Sequence, residues 1–99
     1  MAYNVVIEEN ALEDIQQAID YYDEQLIGLG EKFENAIHKN IIKLAKNPFF
    51  EMRYDTIRCF PIKKFPFMIH FEVQENKNII RILAVFHTSR NLNLVKKRL

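Results

Sequence analysis

Residues 11–48 read ALEDIQQAIDYYDEQLIGLGEKFENAIHKNIIKLAKNP and contain two amphipathic helical patterns separated by two glycines. Apolar residues recur at helical spacing in each pattern, as Leu12, Ile15, Ile19, Tyr22 and Leu26 and then as Phe33, Ile37, Ile41 and Leu44. Gly28 and Gly30 permit a tight connection. Asn47-Pro48 ends the second pattern, because proline disfavours helix at the preceding residue. This stretch therefore predicts an antiparallel pair of helices, each with one apolar face.

Strand-like segments flank the two helical patterns. Residues 3–8 read YNVVIE, which is typical of a short strand. Asn10 is a candidate N-cap for the first helix, and Glu13 completes the spacing of a capping box. Three further runs rich in β-branched and aromatic residues cover 56–62, 67–73 and 79–86, with a polar turn at 74–78. This order predicts an α+β fold with one mostly antiparallel sheet, covered on one face by the helices.

Length and composition fit one folded domain over residues 1–99. Hydrophobic residues make up 48% of the chain and charged residues 27%, a balance that favours a packed core over disorder.

The two halves of the sequence carry opposite net charges. Residues 1–50 hold four Lys or Arg and nine Asp or Glu, a net charge of −5. Residues 51–99 hold ten Lys or Arg and four Asp or Glu, a net charge of +6. The basic half predicts a face for an anionic partner, and the alternative is a solvated charged surface. Residues 91–99 include Lys96-Lys97-Arg98 and are expected to form a flexible basic tail.

Several classes of protein are disfavoured by the sequence. No apolar run reaches the roughly 18 residues needed to span a membrane, and the first ten residues lack the pattern of an export signal, so we expect a cytoplasmic protein. The single Cys59 lies in an apolar run and is expected to be buried and inert. Three scattered histidines and one cysteine offer no metal-ligand spacing, and no Gly-rich nucleotide motif is present. We expect neither a metal nor a small-molecule cofactor.

A series of short motifs runs along nearly the whole chain. In order, they are Ala11-Leu12-Glu13-Asp14-Ile15, Tyr21-Tyr22, Leu29-Gly30, Asn47-Pro48, Arg58, Ile69-His70-Phe71-Glu72-Val73, Ile82-Leu83-Ala84-Val85-Phe86-His87 and Arg90. Each motif alone also fits an ordinary core, but their order, their spacing and the final His-x-x-Arg are more specific. Together they resemble the RelE/ParE toxins of bacterial type II toxin–antitoxin systems, a family that includes plasmid stabilisation proteins.

The resemblance implies both a fold and a set of partners. It implies a β-α-α-β-β-β domain and a cognate antitoxin that wraps the toxin. It also implies growth inhibition through one of two targets, because RelE-like members cut messenger RNA on the ribosome and ParE-like members block DNA gyrase. An antitoxin segment with acidic residues is expected to cover the basic sheet face, because complementary charge steers association.

A metal-free ribonuclease needs an acid or base that titrates near neutral pH, and cations around the phosphate that gains charge. His87, at the end of the last predicted strand, is the candidate acid or base. The candidates for a phosphate clamp with fork-shaped donors are Arg58, Arg81 and Arg90. The candidates for guiding a nucleic-acid backbone are Lys63 and Lys64. Each of these residues also fits a structural or solvated role.

The sequence departs from the nuclease pattern at several positions. The third predicted strand begins with Phe67 and carries His70, where many family members have an arginine and, three residues later, a tyrosine. No tyrosine follows Tyr54. Glu51 is a further candidate base, whereas His38 and His70 are expected to be structural. These departures and the His-x-x-Arg ending favour a ParE-like toxin that binds gyrase and needs no catalytic residue. The alternatives are a RelE-like ribosome-dependent endoribonuclease and a degenerate, non-toxic binding module.

Overall fold

A computed structural model describes residues 2–89 of the chain. Its elements, in chain order, are β1 (Asn4–Ile7), α1 (Glu9–Gln25), α2 (Leu29–Lys46), β2 (Met52–Tyr54), β3 (Ile57–Pro61), β4 (Phe67–Gln74) and β5 (Ile79–His87). A single 3-10 turn, Glu75–Lys77, joins the last two strands. The candidate Arg90 and the tail expected at 91–99 lie outside the described residues.

The five strands form one sheet in the order β1-β5-β4-β3-β2. β1 pairs with β5 in parallel, and the other neighbouring strands are antiparallel. The prediction of an α+β fold with a mostly antiparallel sheet is confirmed. Parallel neighbours cannot be joined by a tight hairpin, and here the rest of the domain forms the connection between the first and last strands.

Both helices pack on one face of the sheet, which we call the helix-side face. The buried side chains of this core come from both helices and from the two central strands, and they include Ala11, Ile15, Phe33, Ile37, Leu44, Ile69, Phe71, Ile80 and Ile82. Burying each large apolar side chain stabilises the fold by roughly 1.5–3 kcal/mol. A smaller cluster, on what we call the far face, holds Tyr54, Ile57, Cys59, Ala84 and Phe86. Cys59 is buried, as predicted.

The helical hairpin depends on Gly30, which the sequence placed near the turn. A Cβ at this position would lie 2.5 Å from the carbonyl oxygen of Ile19 and 2.7 Å from the Asp23 carboxyl group. The Gly30 amide donates a 2.8 Å hydrogen bond to that carboxylate, and an acid at a helix N-terminus also interacts favourably with the helix dipole. Gly28, the second predicted hinge, has a φ of 90° at the N-cap of α2. The first turn of α2 is therefore pressed directly against α1.

Two details differ from the sequence prediction. α1 begins at Glu9, with Glu8 at the N-cap and without a side-chain capping bond, so Asn10 is not the cap. The reason is that the Glu8 amide still donates to the Ile82 carbonyl, at 2.9 Å, and the strand runs straight into the helix. The three-residue β2 was also not predicted, because its sequence Met-Arg-Tyr is too short to show alternation.

Candidate functional site

The candidate acid or base, His87, lies exposed at the end of β5. Its Nδ1 accepts a 3.1 Å hydrogen bond from the Ser89 amide, and the Ser89 hydroxyl lies 2.7 Å from the same nitrogen. A backbone amide can only donate, so the neutral ring carries its proton on Nε2. The ring stands edge-on to Phe67, with centroids 5.4 Å apart. The Nε2–H group is therefore the part of His87 that a ligand would meet.

A β-bulge in β5 decides the face on which His87 lies. Phe71 pairs with Ile82 and His70 with Ala84, so Leu83 is an extra residue on β5. Beyond this extra residue, the side chains of β5 alternate between the two faces of the sheet in the opposite sense. The next buried residue of the helix-side core is therefore Val85. His87 consequently faces α1, where it lines a cavity of about 190 Å³ that also includes Asp14, Gln17 and Tyr21.

Asp14 connects α1 to this bulge. Its Oδ2 accepts a 3.0 Å hydrogen bond from the Val85 amide. The carboxylate lines the same cavity as His87 and Tyr21. An acidic group, a phenol and an imidazole thus share one small cleft, a combination that sequence spacing alone did not reveal because 73 residues separate Asp14 from His87.

Arg58 lies on the helix-side face, because it pairs with the core residue Phe71. The α2–β2 connection crosses over it, and its guanidinium carbon lies 5.3 Å from the centroid of the Phe49 ring. Such a cation–π contact is worth roughly 0.5–2 kcal/mol. Its Nη1 is buried and has no hydrogen-bond partner among residues 2–89. This arginine contributes to packing between the linker and the sheet.

Arg81 lies on the far face of β5, because it pairs with Glu72, the neighbour of Phe71 on β4. It forms an ion pair with Glu8, at the junction of β1 and α1. Both side chains are partly exposed, so the pair adds at most about 1 kcal/mol of stability. The charge of Arg81 is thus already engaged within the fold.

The structure does not bring Arg58, Arg81 and His87 together. Arg58 and Arg81 project from opposite faces of the sheet. Arg58 and His87 share a face, but the register separates them by roughly 13 Å along the strands and about 10 Å across them. Within the described residues there is accordingly no single basic sheet face of the kind that the charge asymmetry predicted.

Lys63 and Lys64 lie side by side in the turn between β3 and β4, where Lys64 has a φ of 77°. They face α2 across a cleft of about 420 Å³. The α2 side of this cleft carries three more lysines, Lys32, Lys39 and Lys43. The two predicted backbone-guiding residues thus belong to a larger basic cleft between the helix layer and the turn.

The far face holds a buried polar cluster that the sequence did not indicate. Nδ1 of His70 lies 2.8 Å from the Tyr54 hydroxyl and 3.4 Å from the Cys59 sulfur. Burial, reinforced by the positive charge of Arg53, lowers the pKa of His70 from 6.5 to about 4, so the ring is neutral. Burial also raises the pKa of the Tyr54 phenol and of the Cys59 thiol. His70 is therefore structural, as predicted, and it links β4 to β2 and β3.

The remaining candidates lie apart from these clusters. Glu51 is exposed just before β2, and His38 is exposed on α2. No group of three or more His, Cys, Asp or Glu side chains in the described part of the chain is arranged to hold a metal ion. No helix within residues 2–89 is both long and apolar enough to cross a membrane.

The architecture, a helical hairpin packed on one face of a five-stranded sheet, is the one found in RelE/ParE toxins. A family profile described as "ParE toxin of type II toxin-antitoxin system, parDE" matches residues 5–92, and the chain belongs to this family. Comparison with curated protein sequences found no match.

Solved structures of toxin–antitoxin proteins have the same fold. A chain of the chromosomal ParDE system from P. aeruginosa is 17% identical, with a TM-score of 0.65 over 87% of this chain and 96% of that one. A chain of the intact E. coli RelBE complex is 15% identical, with a TM-score of 0.68 over 90% and 100%. A chain of the M. tuberculosis RelBE2 complex is 13% identical, with a TM-score of 0.61 over 88% and 99%. At these identities the likeness concerns the fold alone.

Proposed function

We propose that this protein is the toxin of a type II toxin–antitoxin pair and that it inhibits bacterial growth by binding DNA gyrase. The observation that carries the proposal is the dispersal of the described candidates Arg58, Arg81 and His87 over both faces of the sheet. Its membership of the ParE family supports the same target. Inhibition by contact needs a complementary surface and no catalytic group.

The dispersal of the arginines argues against cleavage of RNA by these residues. A phosphate that gains charge in the transition state must lie within about 3 Å of its donors. Arg58 is held under Phe49, and Arg81 is paired with Glu8 on the other face. Neither guanidinium can reach a phosphate at His87 without leaving its present partners, so the described arginines do not complete an active site around that histidine.

One observation favours the alternative, a RelE-like ribosome-dependent endoribonuclease. His87 is exposed, presents Nε2–H to solvent and shares a cleft with Asp14 and Tyr21. An imidazole in that position can act as a general acid for a leaving oxygen. On a ribosome, the cations around the phosphate would then have to come from elsewhere in the chain or from the target.

The two targets are separated by inducing the full chain in a bacterial host and following growth, plasmid supercoiling and messenger RNA ends together. If gyrase is the target, growth should stop, plasmid supercoiling should change and messenger RNA should stay intact. The growth arrest and the change in supercoiling should both persist in His87→Ala. New cuts inside translated messages that disappear in His87→Ala or Arg90→Ala would establish the nuclease instead. Unimpaired growth with soluble, folded protein would identify a degenerate binding module.

The cognate antitoxin is proposed to dock an amphipathic helix on the outer surface of the helical hairpin. A groove of about 220 Å³ between α1 and α2 is lined mainly by apolar residues, among them Leu12, Ile19 and Ile41. Leu12 is 52% exposed there. Helices with apolar anchors three or four residues apart bind grooves of this kind.

The docking proposal can be tested with the product of a small reading frame adjacent to the toxin gene. Leu12→Asp should weaken its binding at least tenfold, as expected for loss of an interface anchor. Val6→Asp is the matched control, since Val6 is also an exposed apolar residue but lies on β1, outside the groove. Equal weakening by both changes would contradict docking at this groove.

A further inference from the structure

The cleft between α2 and the β3–β4 turn is strongly basic. We call it the lysine groove and define it by Lys32, Lys39 and Lys43 on α2 and by Lys63 and Lys64 on the turn. All five are exposed, and none of them forms an ion pair with another described residue. No acidic side chain lines the cleft in the described part of the protein. The acidic charge of the first half of the sequence therefore does not extend to this surface.

The spacing of the lysines produces two facing walls. Lys32, Lys39 and Lys43 are seven and four residues apart, so they lie on one face of α2 and span roughly 16 Å along its axis. The opposite wall is fixed by the turn, which is closed by a 2.9 Å bond from the Ile62 amide to the Phe67 carbonyl. The cations are therefore attached to two rigid elements.

The turn wall of the groove also carries an aromatic residue. Phe65 lines the groove, and its ring is only partly buried. It is held by edge-on contacts with Tyr22 and Phe33, at centroid distances of 5.1 and 5.2 Å. A fixed aromatic ring beside a row of cations matches the combination with which proteins bind single strands, since the cations follow the phosphates and the ring can stack on a base.

The lysines also indicate which kind of anion the groove accepts. One phosphate or carboxylate cannot contact cations spread over roughly 16 Å of helix, so the ligand must carry several charges in a row. Protein–protein interfaces are depleted in lysine and rely on aromatic and arginine anchors, whereas lysine is a common partner of nucleic-acid phosphates. The aromatic side chain of Phe65 among the cations favours a single strand, whose bases are free to stack. We propose that the lysine groove binds the sugar–phosphate backbone of single-stranded nucleic acid.

The proposal is tested by fluorescence anisotropy with the full chain and labelled oligouridine or oligothymidine of equal length, over a series of salt concentrations. For single strands, the logarithm of the binding constant should fall against the logarithm of salt concentration with a slope of about −0.7 per phosphate neutralised, or about −3.5 if all five lysines take part. The double variant Lys39→Gln/Lys43→Gln should bind more weakly, and the magnitude of its slope should be smaller by about 1.4. Circular dichroism should show unchanged folding, because both side chains are exposed.

The matched control removes the same charge outside the groove. Lys46→Gln/Lys77→Gln changes two lysines that do not line the cleft and should leave the slope unchanged. Equal binding of oligouridine and oligothymidine would indicate contacts to the backbone alone. Tighter binding of oligouridine would indicate a further contact to the 2′-hydroxyl. Both results support the proposal. Absence of binding, equal losses in the two double variants, or equally effective competition by a glutamate oligomer of the same charge would overturn it. The measurement does not depend on whether gyrase is the target.

Discussion

Two histidines on neighbouring strands illustrate how surroundings divide one residue type into two roles. Both His70 on β4 and His87 on β5 form hydrogen bonds at Nδ1, to the Tyr54 hydroxyl and to the Ser89 amide respectively. His70 lies buried on the far face, between Tyr54 and Cys59, and its pKa is lowered to about 4. His87 lies exposed on the helix-side face, beside a cavity. The first has the properties of a structural ring and the second those of a group available to a ligand.

The largest expected difference between the two histidines is in stability. His70→Ala leaves a cavity and removes a hydrogen-bond partner of the Tyr54 hydroxyl, so it should lower the free energy of unfolding by about 2–4 kcal/mol. His87→Ala should change it by less than about 0.5 kcal/mol, because the side chain is exposed. Urea denaturation monitored by circular dichroism measures both. Similar losses in the two variants would show that burial does not separate the roles of the two rings.

An intermediate effect is expected in the pH dependence of stability. The pKa of His70 is about 4 in the folded protein and 6.5 in the absence of burial. Between these values the unfolded chain binds a proton that the folded chain does not. The contribution of the neutral ring is thus complete above pH about 6.5 and is lost as the pH falls toward 4, by at most about 1.4 kcal/mol per pH unit.

His70→Gln should remove this contribution to the pH dependence while keeping a side-chain amide that can hydrogen-bond to the Tyr54 hydroxyl. Denaturation midpoints measured across the acid range should therefore depend less steeply on pH in the variant. An identical slope in the wild type and in His70→Gln would show that other groups account for the acid sensitivity.

The smallest expected effect concerns the proton on His87. Ser89→Ala removes the hydroxyl that lies 2.7 Å from Nδ1 but keeps the Ser89 amide as a donor. The Nε2–H form should persist, and stability should change by less than about 0.5 kcal/mol. Nitrogen NMR of the imidazole reports the form directly, with Thr88→Ala as the neighbouring control. A shift to the Nδ1–H form would mean that the hydroxyl, rather than the amide, fixes the ring.

The sequence was sufficient to predict the elements of the fold. Apolar spacing predicted both helices, the glycines predicted their junction, and β-branched runs predicted β1, β3, β4 and β5. These features repeat over many residues, so they remain visible without tertiary context. The predicted N-cap of α1 was wrong by two residues, because pairing of Glu8 with β5 overrides the local preference of Asn10.

The candidate site was less accessible to sequence reasoning because it depends on strand register. Arg81 and His87 are six residues apart, and regular alternation would place them on the same face. The bulge at Leu83 reverses that alternation, and nothing in the run from Ile79 to His87 marks it. The lysine groove was also hidden, since its members lie in two separate segments and the half containing α2 has a net negative charge.

The position of β5 in the sheet has a consequence for the synthesis of the protein. The strand that is translated last of the five pairs with the strand that is translated first. The partners of β1 are residues 79–82, which lie 75 positions further along the chain, and pairing over such a sequence separation slows folding. A nascent chain can therefore complete its sheet only after residues 79–82 have been synthesised, so folding of the whole domain must follow translation of its last strand.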